Sequence, residues 1–169
     1  MRLHTTTLIL AASGLALAAC AKKAPEELPP APEQTDATPT PTSPTGPVPG
    51  TQAHFASVMQ GQDTIYFDTD RYNIDSSDAA ALQQQAQYMG QYPNARATIE
   101  GHADERGTRD YNLALGERRA NAAKNYLISL GIPAARLATV SYGKERPKAL
   151  GSNEAAWAQN RRAVTVIMN

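Results

Sequence analysis

GHADERG (residues 101–107) and YNLALGERRA (residues 111–120) lie where a predicted strand passes into a predicted helix, and they decide the fold. Residues 96–101 alternate apolar and polar side chains, which is typical of a half-buried β-strand. Residues 109–130 are predicted to form a long helix whose buried apolar stripe is Ala120, Ala123, Leu127 and Leu130, and which ends before Gly131 and Pro133. Asp104 lies in the turn between this strand and this helix.

The remaining segments continue the alternation of strands and helices. Residues 64–67 are β-branched and aromatic and predict a strand. Apolar residues after Ser76 recur at i, i+4 and i+7 and predict a helix that Pro93 ends. Further along, the pattern predicts a strand over 137–142, a short helix over 154–158 and a strand over 162–168. The order β-α-β-α-β-(α)-β predicts an α/β fold, an α+β sandwich with helices packed on a mixed four-stranded sheet.

The amino-terminal residues predict export and lipid attachment. Residues 1–19 join a basic start to an apolar run too short to cross a membrane, which is the layout of a signal peptide. Leu17-Ala18-Ala19-Cys20 resembles the bacterial lipobox, and Cys20 is the only cysteine of the chain. We therefore expect lipidation of Cys20. An ordinary cleaved signal with an incidental cysteine is the alternative. In proteins that this motif resembles, Ala21 in place of an aspartate favours the outer membrane.

A proline-rich segment follows Cys20. Residues 21–50 hold nine of the twelve prolines of the chain. This composition cannot bury a core and predicts an extended tether, with a disordered leader as the alternative interpretation. The predicted organisation is a signal peptide over 1–19, a lipidated cysteine and tether over 20–60, and one folded domain over 61–169.

The helix over 109–130 and the turn before it bring an acid and an arginine into one predicted site. Each helical residue advances about 100°, so Asn112, Leu115 and Arg119 share a face. Asp104 ends the preceding strand, where α/β sheets commonly bind ligands. A carboxylate can hold an ammonium, and a guanidinium can hold a carboxylate through two parallel hydrogen bonds. The predicted ligand is the free amino-acid end of a zwitterion; the alternative is only an internal Asp104–Arg119 salt bridge.

Short motifs occur through the domain in an order that resembles a known family. They are IYF (65–67), DRY (70–72), GHADERGT (101–108), YNLALGERRA (111–120), VSYGKE (140–145) and NRRAV (160–164). Over residues 64–169 the chain resembles the OmpA-like peptidoglycan-binding domains. The resemblance implies that Asp104 and Arg119 clamp the zwitterionic end of meso-diaminopimelate in the stem peptide. It also implies that Asp70, Asn112 and Leu115 complete the pocket.

The same resemblance implies partners and a place in the cell envelope. Peptidoglycan is the implied ligand, and the Tol proteins TolB and TolA are the implied protein partners. Glu105 and Arg106 are expected to be surface residues of an exposed turn, and the resemblance also makes them candidate contacts for TolB. The implied protein is an outer-membrane lipoprotein whose domain faces the periplasm. It would link that membrane to the wall in envelope integrity and cell division.

Other functions are not expected from this sequence. The chain has sixteen basic and sixteen acidic residues and therefore lacks the positive excess that nucleic-acid binding usually needs. His102 beside Asp104 does not predict a metal site, because metal sites need three or four ligands. We expect no cofactor. Arg161 and Arg162 are expected to be solvated or structural.

Catalysis is not expected either. A wall hydrolase would need a paired acid and nucleophile, a zinc centre or an activated serine or cysteine, and no such set is evident. The second hypothesis is an adaptor that mainly binds protein partners.

Overall fold

From residue 64 onward, strands and helices alternate along the chain in the predicted order. The computed structural model describes residues 46–168. The helices are α1 (Gln52–Met59), α2 (Ser76–Gln91), α3 (Arg109–Ser129) and α4 (Glu154–Asn160), and the strands are β1 (Thr64–Tyr66), β2 (Arg96–His102), β3 (Leu137–Gly143) and β4 (Arg162–Met168). The predicted signal peptide, Cys20 and most of the predicted tether lie outside the described residues. Within residues 46–168, no helix is both long and apolar enough to cross a membrane.

The four strands form one mixed sheet in the order β1-β4-β2-β3. β4 runs antiparallel to β1 and to β2, and β2 runs parallel to β3. In this register Ile99 of β2 lies opposite Thr165 of β4 and Thr139 of β3. Two parallel neighbours need a crossover, and α3 supplies it. The fold predicted from the sequence is therefore confirmed.

The core lies between the sheet and the helices. It unites buried side chains from three helices and from the strands, among them Leu82, Met89, Ala120, Ala123, Leu127, Ile65, Ile99 and Ile167. The predicted apolar stripe of α3 is buried at Ala120, Ala123 and Leu127, whereas its fourth member, Leu130, is exposed. Leu130 follows the last residue of α3, so the helical periodicity no longer directs its side chain inward.

The folded part starts earlier than the sequence predicted. Residues 52–60, assigned to the tether, contain α1, which begins at the N-cap residue Thr51. Phe55 and Met59 of this helix are 0% and 4% exposed and belong to the core. His54 accordingly lies in the domain, where its Nδ1 is 2.9 Å from the Tyr88 hydroxyl. Only two buried side chains carry this short helix, so its pattern was too weak to distinguish it from the preceding prolines.

Gly101 of β2 and Gly116 of α3 place the long helix against the sheet. A Cβ at Gly101 would collide with the carbonyl oxygen of Gly116, so the two backbones are in direct contact. The Ser141 hydroxyl of β3 donates to the Leu113 carbonyl oxygen at 2.7 Å and holds the first turns of the same helix. These contacts position the amino-terminal half of α3 beside the carboxyl end of β2.

Candidate functional site

A cavity of about 240 Å³ lies where β2 ends and α3 begins. Its lining residues are Thr69, Asp70, Asp104, Arg106, Gly107, Tyr111, Asn112, Leu115 and Arg119. All five residues predicted to bind a ligand therefore line one cavity.

Asp104 is a buried acid whose oxygens are both engaged. It is 7% exposed, and the side chain of Arg106 donates to it twice, from Nη2 to Oδ2 at 2.7 Å and from Nε to Oδ1 at 3.1 Å. The backbone N–H of Arg106 donates to Oδ1 at 3.1 Å, and Arg161 Nη1 lies 3.6 Å from Oδ2. Burial alone would raise the pKa of Asp104, but the hydrogen bonds and charges of these arginines hold that pKa below its ordinary value. Asp104 is therefore a carboxylate at neutral pH.

Arg119 is fully buried and bonded to the backbone rather than to Asp104. Its exposed fraction is 0%, and it donates to three carbonyl oxygens, of Arg71 at 2.9 Å, His102 at 2.8 Å and Asp68 at 3.0 Å. Burial lowers the pKa of Arg119 to about 10, so the group is still charged at neutral pH. The sequence alternative of an internal Asp104–Arg119 salt bridge is wrong among the described residues, since the acid pairs with Arg106 and Arg161.

The remaining donors of Arg119 are relevant to ligand binding. A guanidinium has five N–H groups, and the three carbonyl oxygens use three of them, which leaves two. Arg119 thus combines a structural role with a residual capacity to hold an anion.

Asn112 and Leu115 lie on the face of α3 that the helical geometry predicted. Both are buried, with exposed fractions of 2% and 3%. The Asn112 side-chain amide donates to the Arg106 carbonyl oxygen at 2.7 Å and so fixes the turn that follows β2. Thr108 begins the helix by accepting from the Tyr111 N–H at 3.2 Å. The sequence placed both cavity residues correctly because their positions follow from helical spacing alone.

Asp70 lies at the exposed rim of the cavity. Its φ of 56° is in the left-handed region, which aspartate tolerates better than most residues. Its Oδ1 accepts a hydrogen bond from the Tyr111 hydroxyl at 3.1 Å, which links the segment after β1 to the first turn of α3. The predicted location of Asp70 in the pocket agrees with the geometry, while its contact with a ligand stays a prediction.

Sequence reasoning missed the importance of three side chains around this cavity. Arg106, expected only at the surface or as a partner contact, pairs with Asp104, and its guanidinium carbon lies 4.2 Å from the centre of the Trp157 ring. Arg161, expected to be solvated or structural, is buried and structural: it bonds Glu154 at 2.7 Å and the Phe67 carbonyl oxygen at 2.9 Å. The motif of residues 160–164 could have indicated Arg161, but nothing local indicated Trp157.

His102 is buried and uncharged. Burial, followed by the positive charges of Arg162 and Arg146, lowers its pKa to about 4. Glu100 Oε2 is 3.7 Å from its Nε2, but this partly exposed acid does not outweigh burial. Among residues 46–168, no three potential His, Cys, Asp or Glu ligands come together around a metal position.

The protein is an α+β sandwich with a cavity that is lined by an ionised acid and a buried, charged arginine. Residues 66–161 match the OmpA family, and the chain belongs to that family. The resemblance seen in its motifs is thereby confirmed. Similar proteins carry the name of a peptidoglycan-associated lipoprotein and not that of an enzyme.

Similar proteins support the assignment. The "Peptidoglycan-associated lipoprotein" of Rhizobium meliloti (strain 1021) is 56% identical over 119 residues, which span 70% of this chain and 66% of that protein. The match thus spans just under two thirds of that relative's length. The peptidoglycan-associated lipoprotein from Burkholderia pseudomallei, whose crystal structure is known, is 50% identical in sequence. Its structural match has a TM-score of 0.61 and covers 62% of this chain and 89% of that one. The C-terminal domain of Helicobacter pylori MotB, 18% identical with a TM-score of 0.59, covers 63% and 84% and shares the fold.

Proposed function

We propose that this protein binds peptidoglycan without a covalent bond, through the cavity at the start of α3. The observation that carries the proposal is that an ionised Asp104 and a charged Arg119 both line one cavity. The names of its relatives, which describe association with peptidoglycan, support the same ligand.

The ligand group would be the zwitterionic end of meso-diaminopimelate in the stem peptide. Its ammonium would bind the Asp104 carboxylate, and its carboxylate would take the two N–H groups of Arg119 that the backbone leaves unused. Leu115 would contact the aliphatic stem, and Asn112 would hold the turn that carries the acid. Asp70 would meet the ligand at the rim.

A sacculus pull-down with matched acid-to-amide variants tests this proposal. Asp104→Asn removes the carboxylate from the cavity, whereas Asp110→Asn removes an equal charge from an exposed position of α3 outside the lining. We expect Asp104→Asn to lower binding to purified sacculi at least about tenfold, because the ligand ammonium loses its desolvated partner. Asp110→Asn should bind like wild type. Equal binding by both variants would remove the proposed clamp.

We further propose that the protein is anchored in the outer membrane by lipid on Cys20, with its domain in the periplasm. The lipobox, Ala21 and the name "lipoprotein" of its relatives support this placement. A Cys20→Ser variant should leave the membrane fraction of cells. Retention of this variant in the outer membrane would contradict lipid anchoring.

The cellular role that we propose is to link the outer membrane to the wall, together with the Tol proteins TolB and TolA, in envelope integrity and cell division. The support for this role is the resemblance of the motifs and of the lipobox to that system. Cross-linking in cells tests it: wild type should capture TolB, and the capture should be lost when Glu105 and Arg106, in the turn after β2, are both changed to alanine. Capture that is undiminished would place the Tol contact elsewhere.

A further inference from the structure

In the candidate site, the side chain of Arg106 already pairs with the Asp104 carboxylate that the proposed ligand would bind. Arg106 covers both oxygens of Asp104, at 2.7 Å and 3.1 Å. The Arg106 side chain is 39% exposed, while that of Asp104 is 9% exposed. Solvent and ligand therefore reach Arg106 before they reach the acid.

Arg106 also connects the two segments that enclose Arg119. Its Nη2 donates to the Thr69 hydroxyl at 3.2 Å. Thr69 lies between Asp68 and Arg71, whose carbonyl oxygens accept from Arg119. The turn after β2 and the segment after β1 are thus linked through one guanidinium, above an arginine that is 0% exposed. A ligand carboxylate can reach Arg119 only when this cover opens.

Arg106 has a second partner close by. Its guanidinium carbon is 4.2 Å from the centre of the Trp157 ring, and the ring is held by a hydrogen bond from its Nε1 to Glu105 Oε1 at 3.0 Å. A guanidinium displaced from the acid would keep a cation–π contact with this ring. Asp104 would keep Arg161, 3.6 Å away, as a second positive neighbour.

We propose that Arg106 is a specificity-determining residue, an internal cation that holds Asp104 before a ligand binds and that the ligand ammonium must displace. This inference rests on the proposed function. A ligand without a free ammonium does not replace Arg106 on the acid. A ligand with an ammonium but no adjacent carboxylate displaces Arg106 from the acid but forms no hydrogen bonds with Arg119. The site therefore selects ligands that carry both groups on one carbon.

Calorimetric titration of the whole protein in detergent tests the displacement. The first probe is the tripeptide L-Ala-γ-D-Glu-meso-diaminopimelate with its L-Ala amino group acetylated, and the second is the same tripeptide with the free amino group of the diaminopimelate residue acetylated as well. Arg106→Ala frees Asp104 without displacement, so we expect it to bind the first probe about three- to tenfold more tightly than wild type. The second probe should bind wild type weakly and should gain less affinity from Arg106→Ala than the first probe gains, since its carboxylate can then reach Arg119 but it has no ammonium to place on Asp104.

Arg109→Ala is the matched control. Arg109 is exposed, pairs with Glu145 at 3.3 Å and does not line the cavity, so its removal should leave both affinities at the wild-type value. If Arg106→Ala unfolds, Arg106→Gln removes the same charge while keeping a hydrogen-bonding amide, and the same gain is expected.

The outcomes separate this inference from the proposed function. Wild-type protein that does not bind the first probe would contradict the proposed function itself. Wild-type binding, together with equal or weaker binding by a folded Arg106 variant, would overturn the displacement alone, because Arg106 would then be a ligand contact or a bystander.

Discussion

Gly101 of β2 and Gly116 of α3 touch through their backbones, and a side chain at either position would have no space. A Cβ at Gly101 meets the Gly116 carbonyl oxygen, and one at Gly116 meets the Ser141 hydroxyl and the Gly101 carbonyl. Backbone atoms of a strand and a helix cannot move aside as a flexible side chain can. The distance between β2 and α3, and with it the position of Asp104 relative to Asn112, depends on this contact.

We therefore expect Gly101→Ala to lower the free energy of unfolding by about 1–3 kcal/mol or more, as overpacked cores do. Urea denaturation measures the change. Gly90→Ala in α2 is the control: apart from the backbone of its own helix, no atom lies within 4 Å of the place that an added methyl group would take. Alanine there should be neutral or stabilise by about 0.5–1 kcal/mol. Equal stabilities of the two variants would contradict the close approach.

The second prediction concerns α1. Phe55 is 0% exposed and packs in the core, whereas Val58 on the same helix is 50% exposed. Phe55→Ala should cost about 3–5 kcal/mol through lost burial and the cavity left behind. Val58→Ala should stay within about 1 kcal/mol of wild type. Chemical denaturation compares the two variants. A small effect at Phe55 would show that the domain does not need α1, contrary to its packing.

The third prediction concerns the structural role of Arg119. Each nitrogen of the Arg119 guanidinium donates to a different carbonyl oxygen. A lysine ammonium donates from one point and cannot reach all three of these oxygens, so Arg119→Lys should lower the free energy of unfolding by about 2–4 kcal/mol. Its exposed neighbour Arg118 is the control, and Arg118→Lys should change stability by less than about 0.5 kcal/mol. Chemical denaturation of both variants gives the comparison. A wild-type stability for Arg119→Lys would mean that the three backbone bonds contribute nothing.

The fourth prediction is a pH dependence of stability. The pKa of His102 is about 4 in the folded protein and 6.5 ordinarily, so between these values the unfolded chain binds a proton that the folded chain does not. Stability should therefore fall as the pH drops from about 6.5 to 4, by up to about 3 kcal/mol from this residue. Urea denaturation at pH 7 and at about pH 4.5 should show a smaller difference for His102→Leu than for wild type. An unchanged difference would assign the pH dependence to other groups.

Most of the fold follows from local patterns. The alternation of residues 96–101 and the caps and stops of α2 and α3 act over a few residues, and they describe real strands and helices. α1 escaped prediction because a short helix with two buried side chains is stabilised almost wholly by what it packs on. Leu130 was predicted to be buried because periodicity cannot show where a helix ends to within a residue.

The candidate site, too, could be predicted from the sequence only in part. The shared face of Asn112, Leu115 and Arg119 is a property of the helix, and the sequence by itself determined it. The sequence also determined that an acid would lie just beyond β2, because Asp104 is two residues after the end of the strand. What only the tertiary structure decided is which charges meet. The carbonyl oxygens on Arg119 come from Arg71, Asp68 and His102, up to 51 residues away in the chain, and no spacing rule connects them.

Asp104 shows the physical reason for this division. Several arginines of the chain could pair with its carboxylate. The energies of these ion pairs differ little until the whole fold sets their burial and hydrogen-bond geometry. In the folded chain, Arg106 and Arg161 pair with Asp104, whereas Arg119 donates to backbone carbonyl oxygens. Local sequence determines which side chains share an element. The contacts among elements determine which of those side chains bond to one another.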